Sequence, residues 1–134
     1  MNVVDTSVVV AGFASWHESH DAARRALDEG PALVAHCALE AYSVLTRLPA
    51  PHRAPAHVVA EFLAARFPGA WLALPPAAHA RLLARLPDLG ILGGAVYDAL
   101  IAATAAHRRA TLWTLDRRAE GTYRRVGVAY EAVV

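Results

Sequence analysis

Short apolar segments alternate with longer amphipathic segments along the whole chain. The apolar segments contain β-branched residues such as Val3 and Val4, which favour strands. We predict strands over residues 1–5, 32–36, 71–74, 111–115 and 128–134. We predict helices over residues 17–28, 38–48, 56–67, 76–86, 95–107 and 117–125. This alternation predicts an α/β fold, a three-layer α/β/α sandwich around a central, mostly parallel sheet of four to five strands.

Length and composition are typical of one globular domain. The chain has 134 residues, of which 56% are hydrophobic and 19% are charged, and we expect a single domain over residues 1–134. The one cysteine, Cys37, excludes an internal disulfide framework and a cysteine-based zinc finger. No segment has the apolar length of a membrane span, and the N-terminus lacks the pattern of a secretory signal, so we expect a cytoplasmic protein.

All 13 basic residues are arginine. Because lysine is absent, a Walker-type phosphate loop and Schiff-base chemistry are both excluded. The net charge of +1 is weak support for nucleic-acid binding, yet six arginines flank Asp116: Arg108, Arg109, Arg117, Arg118, Arg124 and Arg125. Arginine binds phosphate through a planar fork, so these residues are either phosphate contacts or a solvated surface. Arg47 lies on the same predicted helix as Glu40. We expect it to contact a phosphate group close to the acidic residues that the next paragraph describes.

Four carboxylates occupy positions that suggest more than a solvated surface. Asp98 lies on an apolar helix face, because Ile101 follows it at helical spacing. Asp5 and Asp116 each end a predicted strand, and the carboxyl ends of parallel strands meet at one edge of a sheet. Glu40 begins the helix after the second strand. Taken singly, each residue is also explained as a helix cap, a turn residue or an exposed side chain.

Convergence of these carboxylates would require a counterion. Two carboxylates about 4 Å apart repel by roughly 4 kcal/mol at an effective dielectric constant near 20. Oxygen ligands favour Mg²⁺ or Mn²⁺, which can activate water for phosphodiester hydrolysis. We therefore predict Asp5, Asp98 and Asp116 as metal ligands, with Glu40 orienting the attacking water or binding the ion through water.

Four segments of the chain resemble the PIN-domain family, in the same order and over nearly the whole length. They are Val3-Val4-Asp5-Thr6-Ser7, Leu39-Glu40-Ala41-Tyr42-Ser43-Val44-Leu45-Thr46-Arg47, Tyr97-Asp98-Ala99-Leu100-Ile101-Ala102 and Thr114-Leu115-Asp116. Within the family the chain is most similar to VapC-type toxins of bacterial toxin–antitoxin pairs. The resemblance implies a Mg²⁺- or Mn²⁺-dependent endoribonuclease that acts on RNA, forms a homodimer and is held inactive by a cognate antitoxin of a type II system.

The resemblance also assigns roles to residues. It implies Asp5, Glu40, Asp98 and Asp116 as the acidic catalytic residues, with Thr6 and Thr114 as supporting hydroxyls; we add Arg47 and Arg117 as substrate contacts. Family members often carry a further acid soon after the last of these, whereas here Arg117-Arg118-Ala119 precedes Glu120. The number of metal ions, one or two, therefore stays open.

Two other functions remain compatible with the residues. Asp5 at a strand end would suit a phosphotransfer domain with an aspartate nucleophile, although lysine is absent and Thr6-Ser7 follows. The altered acid near Glu120 would suit a catalytically silent module that binds RNA or protein. The apolar helices predicted over residues 17–28, 38–48 and 56–67 also suggest surfaces for partners.

Overall fold

The strand after Met1 lies inside a parallel sheet. The computed structural model describes residues Met1–Val134 and contains four strands, β1 (Asn2–Val4), β2 (Ala32–Leu33), β3 (Thr111–Thr114) and β4 (Tyr130–Ala132). Their order in the sheet is β2-β1-β3-β4, and every neighbouring pair is parallel. Val3, Val4 and Leu112 are fully buried, as expected for strands covered on both faces.

Seven helices pack around this sheet. They are α1 (Thr6–Phe13), α2 (His20–Asp28), α3 (Ala35–Thr46), α4 (Ala56–Arg66), α5 (Pro76–Leu89), α6 (Ala95–His107) and α7 (Arg117–Val126). Helix α1 packs against α2 and α3, α3 packs against α4, and α6 packs against α5 and α7. Both α1 and α6 contact β3. The predicted α/β architecture with a parallel sheet is therefore confirmed, with four strands.

Close helix packing explains several small residues. Ala99, Ala102 and Ala105 of α6 are fully buried, which lets this helix lie close to its neighbours. Gly12 of α1 faces Leu27 of α2 so closely that a Cβ at position 12 would clash with the leucine side chain. Burial of these apolar faces supplies the main driving force for the fold.

Three local predictions were wrong. Residues 71–74 do not form a strand; Leu72 makes a single parallel bridge to Val34, because prolines on both sides of the segment prevent a longer ladder. The second strand stops at Leu33 rather than residue 36, since α3 begins at Ala35. The first helix was predicted to begin at residue 17, but a separate helix α1, capped by Asp5, precedes α2.

None of the seven helices combines the length and apolar character that a membrane span requires.

Candidate metal and ribonuclease site

The ends of β1 and β3 place two aspartates at the same edge of the sheet. Val4 pairs with Trp113 in the parallel register, and the amide of Asp5 donates to the carbonyl oxygen of Trp113 at 3.1 Å. Asp5 directly follows β1, and Asp116 comes two residues after β3. The hydroxyl of Ser7 connects the two ends, because it donates to the Asp5 carboxylate and accepts from the amide of Leu115 at 2.8 Å.

Asp5 is buried, and both of its carboxylate oxygens accept hydrogen bonds. Its side chain caps α1, and its Oδ1 accepts from the amides of Ser7 at 3.0 Å and Val8 at 3.3 Å. Its Oδ2 accepts from the hydroxyl of Tyr123 at 2.8 Å. Burial raises the pKa of Asp5, and hydrogen bonds from Ser7, Thr114, Tyr123 and the Val8 amide partly oppose this rise. The surrounding donors thus partly compensate a negative charge that burial disfavours.

Asp116 has the same local construction but fewer partners. It caps α7, and its Oδ1 accepts from the amide of Arg118 at 3.0 Å. The Nε of Arg118 lies 3.7 Å from the same oxygen, while the hydroxyl of Thr114 accepts from the Asp116 amide at 2.9 Å. One-third of the Asp116 side chain is exposed to solvent. Its carboxylate therefore keeps acceptor positions that face the surface.

Asp98 lies in the first turn of α6 and is affected by all three other carboxylates. Burial raises its pKa to about 6, with further contributions from the charges of Asp116, Glu40 and Asp5, in that order. Of the positive groups, Arg118 opposes this rise. Residues from four separate segments of the chain therefore generate a common negative potential around Asp98.

Glu40 contacts His36 on the same helix, and His36 in turn stacks on Tyr97, the residue before Asp98. The Nε2 of His36, one turn earlier on α3, lies 3.3 Å from Oε2 of Glu40. The His36 ring stacks on Tyr97 of α6 with centroids 5.4 Å apart and an angle of 2° between the ring planes. Because Tyr97 precedes Asp98, this stack couples the position of Glu40 to that of Asp98.

An open cleft of about 450 Å³ is lined by two of the four predicted acidic residues, Glu40 and Asp116, whereas Asp5 and Asp98 are not part of its lining. Its lining includes Thr6, Ser7, His17, Glu40, Asp116 and Arg118. No group of three or more His, Cys, Asp or Glu side chains is placed so that it could hold a metal ion without side-chain movement. The donor set nevertheless fits a hard divalent cation, because the converging groups are carboxylate oxygens that raise the pKa of Asp98 together. The buried hydroxyl oxygen of Thr6, which has no hydrogen-bond partner, adds an oxygen donor at the cleft.

The two predicted supporting hydroxyls and the two arginines predicted as substrate contacts occupy different environments. Thr6 lines the cleft, whereas Thr114 is buried beneath it and holds the Asp116 amide. Arg117 lines an adjoining hollow together with Asp116 and Glu120. Arg47 is exposed at the end of α3, where its guanidinium donates to the Ser43 hydroxyl at 3.1 Å; it does not line the cleft.

Sequence reasoning missed four residues of this region. Arg118 was not distinguished from its neighbours, His17 was placed only at the start of a predicted helix, and His36 was placed at the end of a predicted strand. Tyr123 was overlooked, although its position four residues after Ala119 on the apolar face of α7 signals a phenol that needs a buried partner. The signals for Arg118 and His17 are tertiary, because neither has a distinctive position in the sequence pattern.

Family comparison agrees with this architecture. The PIN domain model matches residues 3–125. The chain belongs to the PIN-domain family.

Two relatives show which group within the PIN-domain family the chain resembles. It is 50% identical to Ribonuclease VapC40 of Mycobacterium tuberculosis over 129 residues, covering 96% of each chain. It is 44% identical to Ribonuclease VapC27 of the same species over 127 residues, covering 93% of this chain and 91% of the relative. The resemblance to VapC-type proteins is therefore confirmed.

Two solved structures share the fold. FitAcB from Neisseria gonorrhoeae matches with a TM-score of 0.70 and 23% identity, covering 97% of this chain and 96% of that chain. FitAB bound to the IR36 DNA fragment matches with a TM-score of 0.73 and 20% identity, covering 98% and 94%. At these identities the two structures support the fold alone.

Proposed function

We propose that the chain is a VapC-type endoribonuclease that depends on Mg²⁺ or Mn²⁺ and acts as the toxin of a type II toxin–antitoxin pair. The observation that carries the proposal is the negative potential around Asp98, to which Asp116, Glu40 and Asp5 all contribute. A protein tolerates such a cluster when a bound cation neutralises it. The ribonuclease names of two relatives support RNA as the substrate.

We expect the four acidic residues to have two different roles. Asp5, Asp98 and Asp116 would hold the cation, and Glu40, tethered by His36, would orient the attacking water. When bound, the cation lowers the pKa of a coordinated water and stabilises negative charge on the phosphoryl group. The buried hydrogen bonds of Asp5 keep its carboxylate in place, whereas the partly exposed Asp116 faces the substrate side.

The arginines around the cleft would bind the RNA backbone. Arg118 lines the cleft itself, and Arg117 lines the adjoining hollow, so both can reach phosphate oxygens near Asp116. Arg47 would contact the RNA further from the acidic residues. We expect RNA affinity to fall with ionic strength, because these contacts release counterions from the phosphate backbone.

Asp5 is poorly suited to act as a phosphoryl acceptor. Only 2% of its surface is exposed, and both carboxylate oxygens already accept hydrogen bonds. A nucleophile must approach the phosphorus atom directly, which this burial prevents. The structure therefore favours the nuclease proposal over phosphotransfer through Asp5.

Exposed apolar surfaces support the proposed partners. Leu39 and Tyr42 are exposed on α3, while Leu83 and Tyr97 are exposed on α5 and α6. Apolar surfaces of this kind are typical of protein interfaces. These exposed apolar side chains support a homodimer that also binds a cognate antitoxin.

The decisive experiment is an RNA cleavage assay with the purified chain, free of antitoxin. We expect cleavage of cellular RNA with Mg²⁺ or Mn²⁺, loss of cleavage with EDTA, and loss of at least about a hundredfold in Asp98→Asn. Asp88→Asn is the matched control, because Asp88 is exposed on α5 and lies outside the cleft lining. No metal-dependent cleavage by the parent chain, or full activity in Asp98→Asn, would contradict the proposal.

A further inference from the structure

Tyr123 is the largest completely buried side chain of the protein, and its single polar atom contacts Asp5. The two residues are 118 positions apart, and the hydroxyl donates to Oδ2 at 2.8 Å. Burial and the Asp5 charge raise the pKa of the Tyr123 hydroxyl above its usual range. Because an ionised carboxylate can only accept, the 2.8 Å contact makes the phenol the hydrogen-bond donor to Asp5.

The contacts of Asp5 divide between its two oxygens in an informative way. Oδ1 accepts from three donors of α1, the Ser7 amide, the Ser7 hydroxyl and the Val8 amide. These contacts all lie on one side of the carboxylate. Rotation about χ2 of aspartate is intrinsically broad, and a contact to Oδ2 restrains the carboxylate plane from the side opposite these donors. The Tyr123 hydroxyl supplies that contact.

The tyrosine ring is itself immobilised. It is 1% exposed and packs edge-on against Tyr130, with ring centroids 6.0 Å apart. Its backbone carbonyl accepts from the amides of Gly127 and Val128, where α7 ends. The same helix begins at its cap residue, Asp116. Helix α7 thus carries one strand-end carboxylate at its start and holds the other through Tyr123.

We propose that Tyr123 is a positioning residue that fixes the Asp5 carboxylate plane for cation binding. The inference rests on the metal-dependent function proposed above and assigns that site a residue outside its carboxylates. An oxygen of an ionised carboxylate has about two acceptor positions, so Oδ2 can accept from Tyr123 and still face a cation. Partners that orient a metal ligand in this way typically change affinity or activity 10- to 100-fold when removed.

Tyr123→Phe tests the proposal, because it removes the hydroxyl and keeps the ring. We expect the Kd for Mn²⁺, measured by isothermal titration calorimetry without RNA, to rise about tenfold or more. We expect kcat for RNA cleavage to fall about 10- to 100-fold with little change in KM, since Tyr123 does not line the cleft. Circular dichroism and a melting curve check that the variant is folded at the assay temperature.

Tyr130→Phe is the matched control. It removes a tyrosine hydroxyl from the ring that packs on Tyr123, but this hydroxyl accepts from Arg124 and makes no contact with Asp5. We expect its Mn²⁺ Kd and kcat to stay within about twofold of the parent values. Equal losses in both variants would indicate a general packing effect and overturn the proposal.

Other outcomes separate the two proposals. If Tyr123→Phe binds Mn²⁺ and cleaves RNA as the parent does, whatever its melting temperature, Tyr123 has only a structural role. If the parent binds Mn²⁺ but cleaves no RNA, the nuclease proposal fails and the comparison of Kd values alone decides the role of Tyr123. If the parent binds neither Mn²⁺ nor Mg²⁺, both proposals are overturned.

A second variant keeps the test informative if Tyr123→Phe does not fold. Incorporation of 3-fluorotyrosine at position 123 retains the hydroxyl and changes its strength as a donor. A changed Mn²⁺ Kd supports the proposal, and an unchanged Kd overturns it.

Discussion

The ends of β1 and β3 are built in the same way but differ in environment. Each strand runs into an aspartate, and each aspartate caps the helix that follows. Asp5 is 2% exposed and accepts from the amides of α1, from Ser7 and from Tyr123. Asp116 is partly exposed, and its carboxylate contacts only Arg118.

Because Asp5 and Asp116 have different environments, we expect the two carboxylates to contribute differently to stability and to function. The network around Asp5 spans the first helix and the last, so it contributes to the fold as well as to the site. The carboxylate of Asp116 contributes less to the fold and more to the electrostatics of the cleft, because its charge is the largest carboxylate contribution to the raised pKa of Asp98. Substitutions at the two strand ends should therefore have different consequences.

The largest expected difference in stability is between Asp5→Ala and Asp116→Ala. Asp5→Ala removes the α1 cap and leaves the buried Tyr123 hydroxyl without an acceptor, so we expect a loss of about 2–3 kcal/mol in the free energy of unfolding. Asp116→Ala removes only a partly exposed cap, for which we expect about 0.5–1 kcal/mol. Urea unfolding of both variants in EDTA measures this difference, and equal losses would contradict the comparison.

The pH dependence of stability tests whether the pKa of Asp98 is raised in the native state. The native state retains the Asp98 proton up to a pKa of about 6, whereas the unfolded chain releases it near 3.8. The metal-free protein should therefore lose stability as the pH rises from about 4 to 6, because the native state binds more protons over this range. The raised pKa of Asp5 acts in the same direction.

Asp98→Asn should reduce this slope and raise the melting temperature of the metal-free protein at pH 7, although it abolishes cleavage. Asp116→Asn should lower the Asp98 pKa more than Asp5→Asn does. Thermal melts from pH 4 to 8 in EDTA measure the slope, with Asp88→Asn as the control. A metal-free protein that gains stability over this pH range would show that Asp98 does not have a raised pKa.

The smallest expected effect comes from the Arg118 guanidinium, which lies beside Asp116. The Arg118 guanidinium lowers the pKa of Asp98, although the Arg118 side chain is 95% exposed. Arg118→Ala should move the acid limb of the pH–rate profile slightly upward at low salt, and less at high salt. Arg117→Ala should raise KM without moving this limb. An identical shift in both variants would exclude a specific role for Arg118.

The α/β fold was predictable because apolar strands buried on both faces have a distinctive pattern. The alternation of such segments with helices of ten or more residues left few possible topologies. The limits of individual elements were less predictable. Residues 71–74 have the composition of a strand, but flanking prolines restrict them to one bridge beside β2.

The acidic residues were visible in the sequence because four of them together lie at strand ends, at a helix start or on an apolar helix face, in segments that resemble one family in the same order. The residues that hold these carboxylates were not visible. Tyr123 meets Asp5 across 118 positions, and Arg118 is one of several arginines in its segment. Their roles depend on which side chains the fold brings together.

The sequence by itself determined the parallel α/β fold, because hydrophobic periodicity depends on local composition and spacing, and it indicated the four carboxylates as candidates for the site. Only the tertiary structure decided that Asp5 is buried and Asp116 is partly exposed. Both follow a strand and cap a helix, so their local sequences contain no signal for this difference. Long-range packing creates it, since α7 places the Tyr123 hydroxyl over one carboxylate and leaves the other at the edge of the cleft.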